Sequence, residues 1–154
     1  PYRNVLGIWM NRIMQNKRPI IFGDGNQRRA FSYIEDITPA LANATNKKSK
    51  NEIINLGGKK PYLIKQAFNI LNGICKDGKL KPHYEPVRPG EVKDAWCTTG
   101  KSEELLDYKE KHTFSDGLIK MWEWAQSVGP QKPTYKIPLE ITKGSPKIWL
   151  KQEM

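Results

Sequence analysis

Apolar residues recur along this chain with two spacings, and the spacings divide it into helices and short strands. Val5, Leu6, Ile8, Trp9, Met10, Ile13 and Met14 form a broad helical stripe with Arg12 outside it. They predict a helix over residues 5–15, with Asn4 as its N-cap. Ile64, Ala67, Phe68, Leu71 and Ile74 mark one face of a second helix within residues 61–75. A third helix is expected over residues 114–128, carrying Leu118, Ile119, Met121, Trp122, Trp124 and Ala125. Shorter helices are expected over residues 36–44, with Pro39 tolerated in the first turn, and over residues 99–106, capped by Thr99 or Ser102. Strands are predicted at residues 20–22 behind Pro19, at 31–34, at 52–56 before Gly57 and Gly58, and at 82–85 before Pro86. Helices alternating with few, short strands define a mixed α/β (α+β) class: a small sheet with flanking helices, short of a complete doubly wound domain.

After Gly129 the pattern changes. Pro130, Pro133, Pro138, Gly144 and Pro146 punctuate a polar stretch with one apolar-alternating piece at residues 135–141. The expected organisation is a domain over residues 1–128 and an extended tail, 129–154, lying on it with a frayed end.

A length of 154 residues suits one domain with a core, and 38% apolar content with five Trp and six Tyr argues against disorder. The first residues lack an initiator Met and the pattern of a secretory signal, and are read as a cut within a longer protein. No apolar run reaches the ~18 residues a membrane helix needs, so no membrane partner is expected. Cys75 and Cys97 read as free thiols of a reducing, cytoplasmic compartment, and His83 and His112 lack evident partners, which makes a zinc site improbable. A net charge of +10, from 26 Lys and Arg against 16 Asp and Glu, biases the surface toward anions. The lysines are scattered, and no nucleic-acid module or interleaved aromatic pattern accompanies them. A basic module for nucleic acid or another anion stays open as the competing class.

Catalytic signatures are missing. No G-x-G-x-x-G follows a strand, no P-loop occurs, and no Tyr-x-x-x-Lys pair or Ser, His and Asp trio stands out. What remains is binding chemistry. In GDGNQRRAFSYIED, residues 23–36, a glycine turn is followed by Arg28 and Arg29, a pair that can grip a phosphate or form a surface ion pair with Glu35 or Asp36. In residues 88–91, Pro89 and Gly90 turn the chain so that Arg88 and Glu91 share one loop, suited to an anion and a diol or to each other. Phe22, beside Ile20 at a strand end, can face a planar base or enter the core.

These motifs, in this order and spacing, resemble the substrate half of the extended short-chain dehydrogenase/reductase family of nucleotide-sugar epimerases and dehydratases, UDP-glucose 4-epimerase-like members above all. The resemblance covers residues 1–128. It implies a substrate-binding lobe without its Rossmann half. It implies diphosphate contacts from Arg29 and Arg88, a ribose contact from Glu91, base contacts from Ile20 and Phe22, and phosphate contacts from Asn4 and Val5. Ala30 departs from the family, where many members carry Asp. The implied partner is a UDP-sugar, with a GDP-sugar epimerase or a dehydratase as near alternatives. The implied cofactor is NAD, held by the N-terminal Rossmann half of the parent protein and not by this fragment, which is expected to be inactive alone. The exposed cleft face is expected to favour self-association, as in a homodimer.

Overall fold

A computed structural model describes residues 4–76, 78–132 and 143–151. Helix α1 spans Val5–Met14. Strands β1 (Ile20–Phe22) and β2 (Arg28–Ala30) flank the glycine turn, and α2 spans Ile34–Asn43. A 3-10 turn at Lys47–Ser49 and a long irregular stretch lead to β3 (Pro61–Leu63), which runs directly into α3 (Ile64–Lys76). Strands β4 (His83–Glu85) and β5 (Asp94–Ala95), then α4 (Gly100–Leu106), α5 (Phe114–Val128) and the short α6 (Lys147–Leu150) complete the order.

The strands form two small sheets rather than one. β1 pairs in parallel with β4, Ile21 opposite Tyr84. β2 lies between β3, antiparallel, and β5, parallel, so that Arg29 faces Tyr62 on one side and Ala95 on the other. The helices build the core beside them. Trp9, Met10 and Ile13 of α1, Ile21 of β1, Ile64, Ala67, Phe68 and Leu71 of α3, and Leu118 and Ala125 of α5 form one buried cluster. Trp9 is fully buried, meets Phe68 edge to face at 5.7 Å, and donates its indole N–H to the Ile20 carbonyl at 2.7 Å. That bond fixes α1 against β1. A second cluster, Ala40, Leu106 and Tyr108, joins α2 to α4.

Helix ends follow their chemistry. Asn4 caps α1, its side chain accepting from the Gly7 amide. Thr113 and Asp116 form a reciprocal capping box at the start of α5.

Several sequence expectations change. The strand expected at residues 31–34 lies three residues earlier, at the arginine pair, because only there do two neighbours supply ladder partners. α2 correspondingly begins at Ile34 and encloses Pro39. Residues 52–56 form no strand; Ile53 is 89% exposed, and the segment joins no ladder. β3 and β5 were not expected at all. The tail is not wholly extended, since α6 is helical and buries Ile148. The apolar-alternating piece at residues 135–141 lies outside the described residues. Both histidines have partners: His83 meets Glu85 at 2.9 Å, and His112 meets Asp36 at 2.8 Å. Cys75 and Cys97 are free thiols.

Candidate substrate cleft

The glycine turn after β1 sets the geometry of the site. Gly23 and Gly25 have φ of 69° and 72°, left-handed values that disfavour side chains. The Gly23 amide donates to the Glu85 carbonyl at 2.9 Å, and the Gly25 carbonyl accepts from the Lys65 amide at 3.0 Å. The turn is thereby pinned to both β4 and the start of α3. It returns the chain as β2, which carries Arg28 and Arg29.

The loop after β4 brings the second arginine. Arg88 Nε donates to Glu91 Oε2 at 2.5 Å, closing the Pro-Gly turn. Arg29 Nη2 donates to Glu91 Oε1 at 2.6 Å and to the Val92 carbonyl at 2.7 Å, while its Nη1 donates to the Arg28 carbonyl at 2.7 Å. One carboxylate, its side chain only 9% exposed, therefore joins two guanidinium groups that are 25% and 32% exposed. The three charges sum to one positive charge. Most of the Arg29 donors are occupied by the loop, so Arg29 offers a nearby ligand its field more than a free fork. The surface pairing expected with Glu35 or Asp36 does not form; Arg29 takes Glu91 and Arg28 takes Asp94 at 2.8 Å.

The guanidinium of Arg88 lies 5.0 Å from the ring centre of Phe22 and 5.8 Å from that of Trp149, within cation–π range. Phe22 is half-buried, whereas Ile20 is 3% exposed. The Phe22 carbonyl is already taken by the Gln27 side chain at 2.9 Å. A cavity of about 530 Å³ opens here, and its walls include all seven residues singled out in the sequence: Asn4, Val5, Ile20, Phe22, Arg29, Arg88 and Glu91. Gln27 and Trp149 also line it and were not anticipated. Trp149 carries no local signal, since its position depends on how the tail folds back.

A second hollow of about 520 Å³ shares Asn4, Leu6 and Phe31 with the first. Its wall is apolar and aromatic, with Tyr33, Ile34, Phe114, Met121 and Trp124, and Ile34 and Trp124 stay 60% and 64% exposed. At its edge the buried Asp36 accepts from the His112 amide at 3.1 Å and meets the His112 ring at 2.8 Å. Burial alone would raise the Asp36 carboxyl, but hydrogen bonds from His112 and the Lys111 backbone outweigh it and hold the group below the ordinary carboxylate range. Lys120 bonds Glu35 at 3.1 Å, which lowers the Glu35 carboxyl and raises the lysine.

β1 leads through its turn into another strand, so no helix N-terminus stands at its carboxyl end to receive a pyrophosphate. Among the described residues no group of three His, Cys, Asp or Glu side chains could hold a metal ion, and no helix is long and apolar enough to cross a membrane.

Small mixed sheets with flanking helices thus carry a cleft faced by two arginines and one glutamate. The sequence model of the NAD dependent epimerase/dehydratase family matches residues 2–57. A putative UDP-glucose 4-epimerase of Methanocaldococcus jannaschii is 33% identical over 124 residues, 80% of this chain and 39% of that protein. The crystal structure of Thermotoga maritima UDP-glucose 4-epimerase with UDP-glucose superposes with a TM-score of 0.78 at 27% identity, covering 83% of this chain and 41% of that one. Bacillus cereus UDP-glucuronic acid 4-epimerase, solved as a tyrosine-to-phenylalanine mutant with UDP-4-deoxy-4-fluoro-glucuronic acid and NAD, gives 0.74 at 30% identity, with 81% and 40% covered. The chain belongs to the NAD dependent epimerase/dehydratase family. It spans about two fifths of the length of these relatives.

Proposed function

We propose that this chain is the substrate lobe of an NAD-dependent nucleotide-sugar epimerase, and that it holds the nucleoside diphosphate of a UDP-hexose while the sugar reacts elsewhere. The observation that carries the reading is the convergence of Arg29, Arg88 and Glu91 with Phe22 and the start of α1 on one cavity of about 530 Å³. Guanidinium groups suit a diphosphate, and the ring of Phe22 suits a planar base. Holding the nucleotide far from the reacting carbon is positioning: binding energy is used to orient the sugar. In the same reading Glu91 keeps both guanidinium groups in register when the cleft is empty, and turns one oxygen toward the ribose when it is filled.

The cofactor belongs to a nucleotide-binding half outside this lobe, a reading supported by the glycine turn after β1, which leads into a strand and not into a helix start. The apolar hollow edged by Tyr33, Ile34 and Trp124 is the face turned toward that half. Hydride chemistry is supplied there. This lobe binds, orients and shields, and by itself does not turn over UDP-hexose.

Thermal shift tests the reading. UDP at a hundredfold excess over its Kd should stabilise the chain by roughly 2.7 kcal/mol, and UMP at the same concentration by less. Arg88→Ala should abolish the shift, and GDP and dTDP measure how far the base is read. Equal stabilisation by random oligonucleotides, falling steeply with salt, would replace this function with a general polyanion surface.

A further inference from the structure

The residue of the cleft that least belongs to its body is Trp149. It comes from the tail, on the four-residue helix α6, and reaches Arg88 and Phe22 across the mouth of the cavity. Beyond it lies another hollow of about 340 Å³, formed by the loop at residues 88–92 and by tail residues 143–146. Arg29, Arg88, Glu91 and Trp149 line both hollows. The indole is thus a partition between two spaces that look onto the same pair of guanidinium groups.

Its geometry fits a plug better than a stacking wall. The Trp149 and Phe22 rings meet at 82°, with centres 6.3 Å apart, so they do not form a parallel slot for a base. The Arg88 guanidinium lies near both rings, where a phosphate would otherwise approach it. The turn carrying Trp149 is short and buries one residue, Ile148. Gly144, with φ of 77°, lies just before it and sits 3.7 Å, by its projected Cβ, from Pro89. A segment this short can leave without disturbing the core.

Resting on the nucleotide-sugar reading above, we propose that α6 is an autoinhibitory gate: Trp149 covers Arg88 in the empty cleft, and a nucleoside diphosphate must displace it to bind. Removing the indole joins the two hollows and exposes the guanidinium. The contacts given up on opening include an edge-to-face ring pair and a cation–π contact. Their loss corresponds to about tenfold in affinity.

The test is calorimetric titration of the 154-residue chain with UDP. Trp149→Ala should bind about tenfold more tightly than the parent chain, and Arg88→Ala should not bind. Ile148→Ala, which keeps the indole but loosens its anchor, should also tighten binding; it carries the test if Trp149→Ala fails to fold. With 5-fluorotryptophan incorporated, the fluorine resonance absent from Trp149→Ala should move toward the free amino acid's position at saturating UDP. Binding by Trp149→Ala that is equal to or weaker than the parent's, and still dependent on Arg88, overturns the gate and leaves the nucleotide site standing. A fluorine resonance that does not move toward the free position also overturns the gate. No UDP binding by parent, Trp149→Ala or Ile148→Ala removes the nucleotide reading and the gate with it.

Discussion

Replacing Gly58 with Ala should destabilise this protein severely, although nothing in its local sequence marks the position as special. Gly58 does not have a positive φ, so alanine meets no conformational objection there. The objection is space. A Cβ built on Gly58 would lie 2.2 Å from the Phe31 carbonyl oxygen, 2.8 Å from its carbonyl carbon and 3.1 Å from its nitrogen. These are backbone atoms of the segment joining β2 to α2, and no rotamer change relieves the contact. One segment must move, and Phe31 also stacks on Phe114 at 4.6 Å and lines both hollows. Overpacking usually costs about 1–3 kcal/mol, and a clash with backbone belongs at the upper end. About 3 kcal/mol corresponds to a Tm lower by roughly 6–12 °C for a chain of this size. Gly73 is the control: it is exposed within α3 and its projected Cβ meets nothing within 4 Å. Gly73→Ala should raise stability by about 0.5–1 kcal/mol through helix propensity alone. Thermal melts followed by circular dichroism compare the two directly. A Gly58→Ala melt within a degree of the parent would refute the close approach of the two backbones.

Other sites give further expectations. Trp9→Phe removes the indole N–H from the buried Ile20 carbonyl and leaves a void between α1 and β1, which should cost about 2–4 kcal/mol in chemical denaturation. Asp36→Asn should cost about 2 kcal/mol at neutral pH, because hydrogen bonds to a charged carboxylate are lost. The folded carboxyl is held below its unfolded value, so its contribution is present above about pH 4 and disappears as pH falls through the folded pKa; the difference in Tm between parent and variant should narrow below about pH 4. Burial pushes the Cys75 thiol up to about 12, leaving about one molecule in ten thousand as thiolate at pH 8. Iodoacetamide at that pH should therefore spare Cys75 until the chain is unfolded, as mass spectrometry of the labelled peptides would show.

How much of this was legible beforehand depends on the range of the forces involved. α1, α3 and α5 lie where apolar periodicity puts them, and α5 matches its expected bounds. Helical hydrogen bonds close within four residues, so stripe and cap are written locally. The glycine turn was equally local, since φ near 70° is a property of the residue that adopts it. The seven cleft residues were identified by motif spacing and resemblance, and their meeting in one cavity follows from the turn and the Pro-Gly loop that aim them.

Tertiary structure decided what needs a distant partner. A strand exists only where a neighbour offers a ladder: the arginine pair became β2, residues 61–63 became β3, and residues 52–56, equally apolar in pattern, stayed unpaired. Charge pairing was decided the same way, Glu91 joining Arg29 across 62 positions and Asp36 joining His112 across 76. The indole of Trp149 over Arg88 belongs to this second kind. Local chemistry wrote the helices, the turns and the list of candidate side chains, because those depend on neighbours within a few residues; which strands pair, which charges meet and what covers the cleft depend on contacts that exist only once the chain has closed on itself.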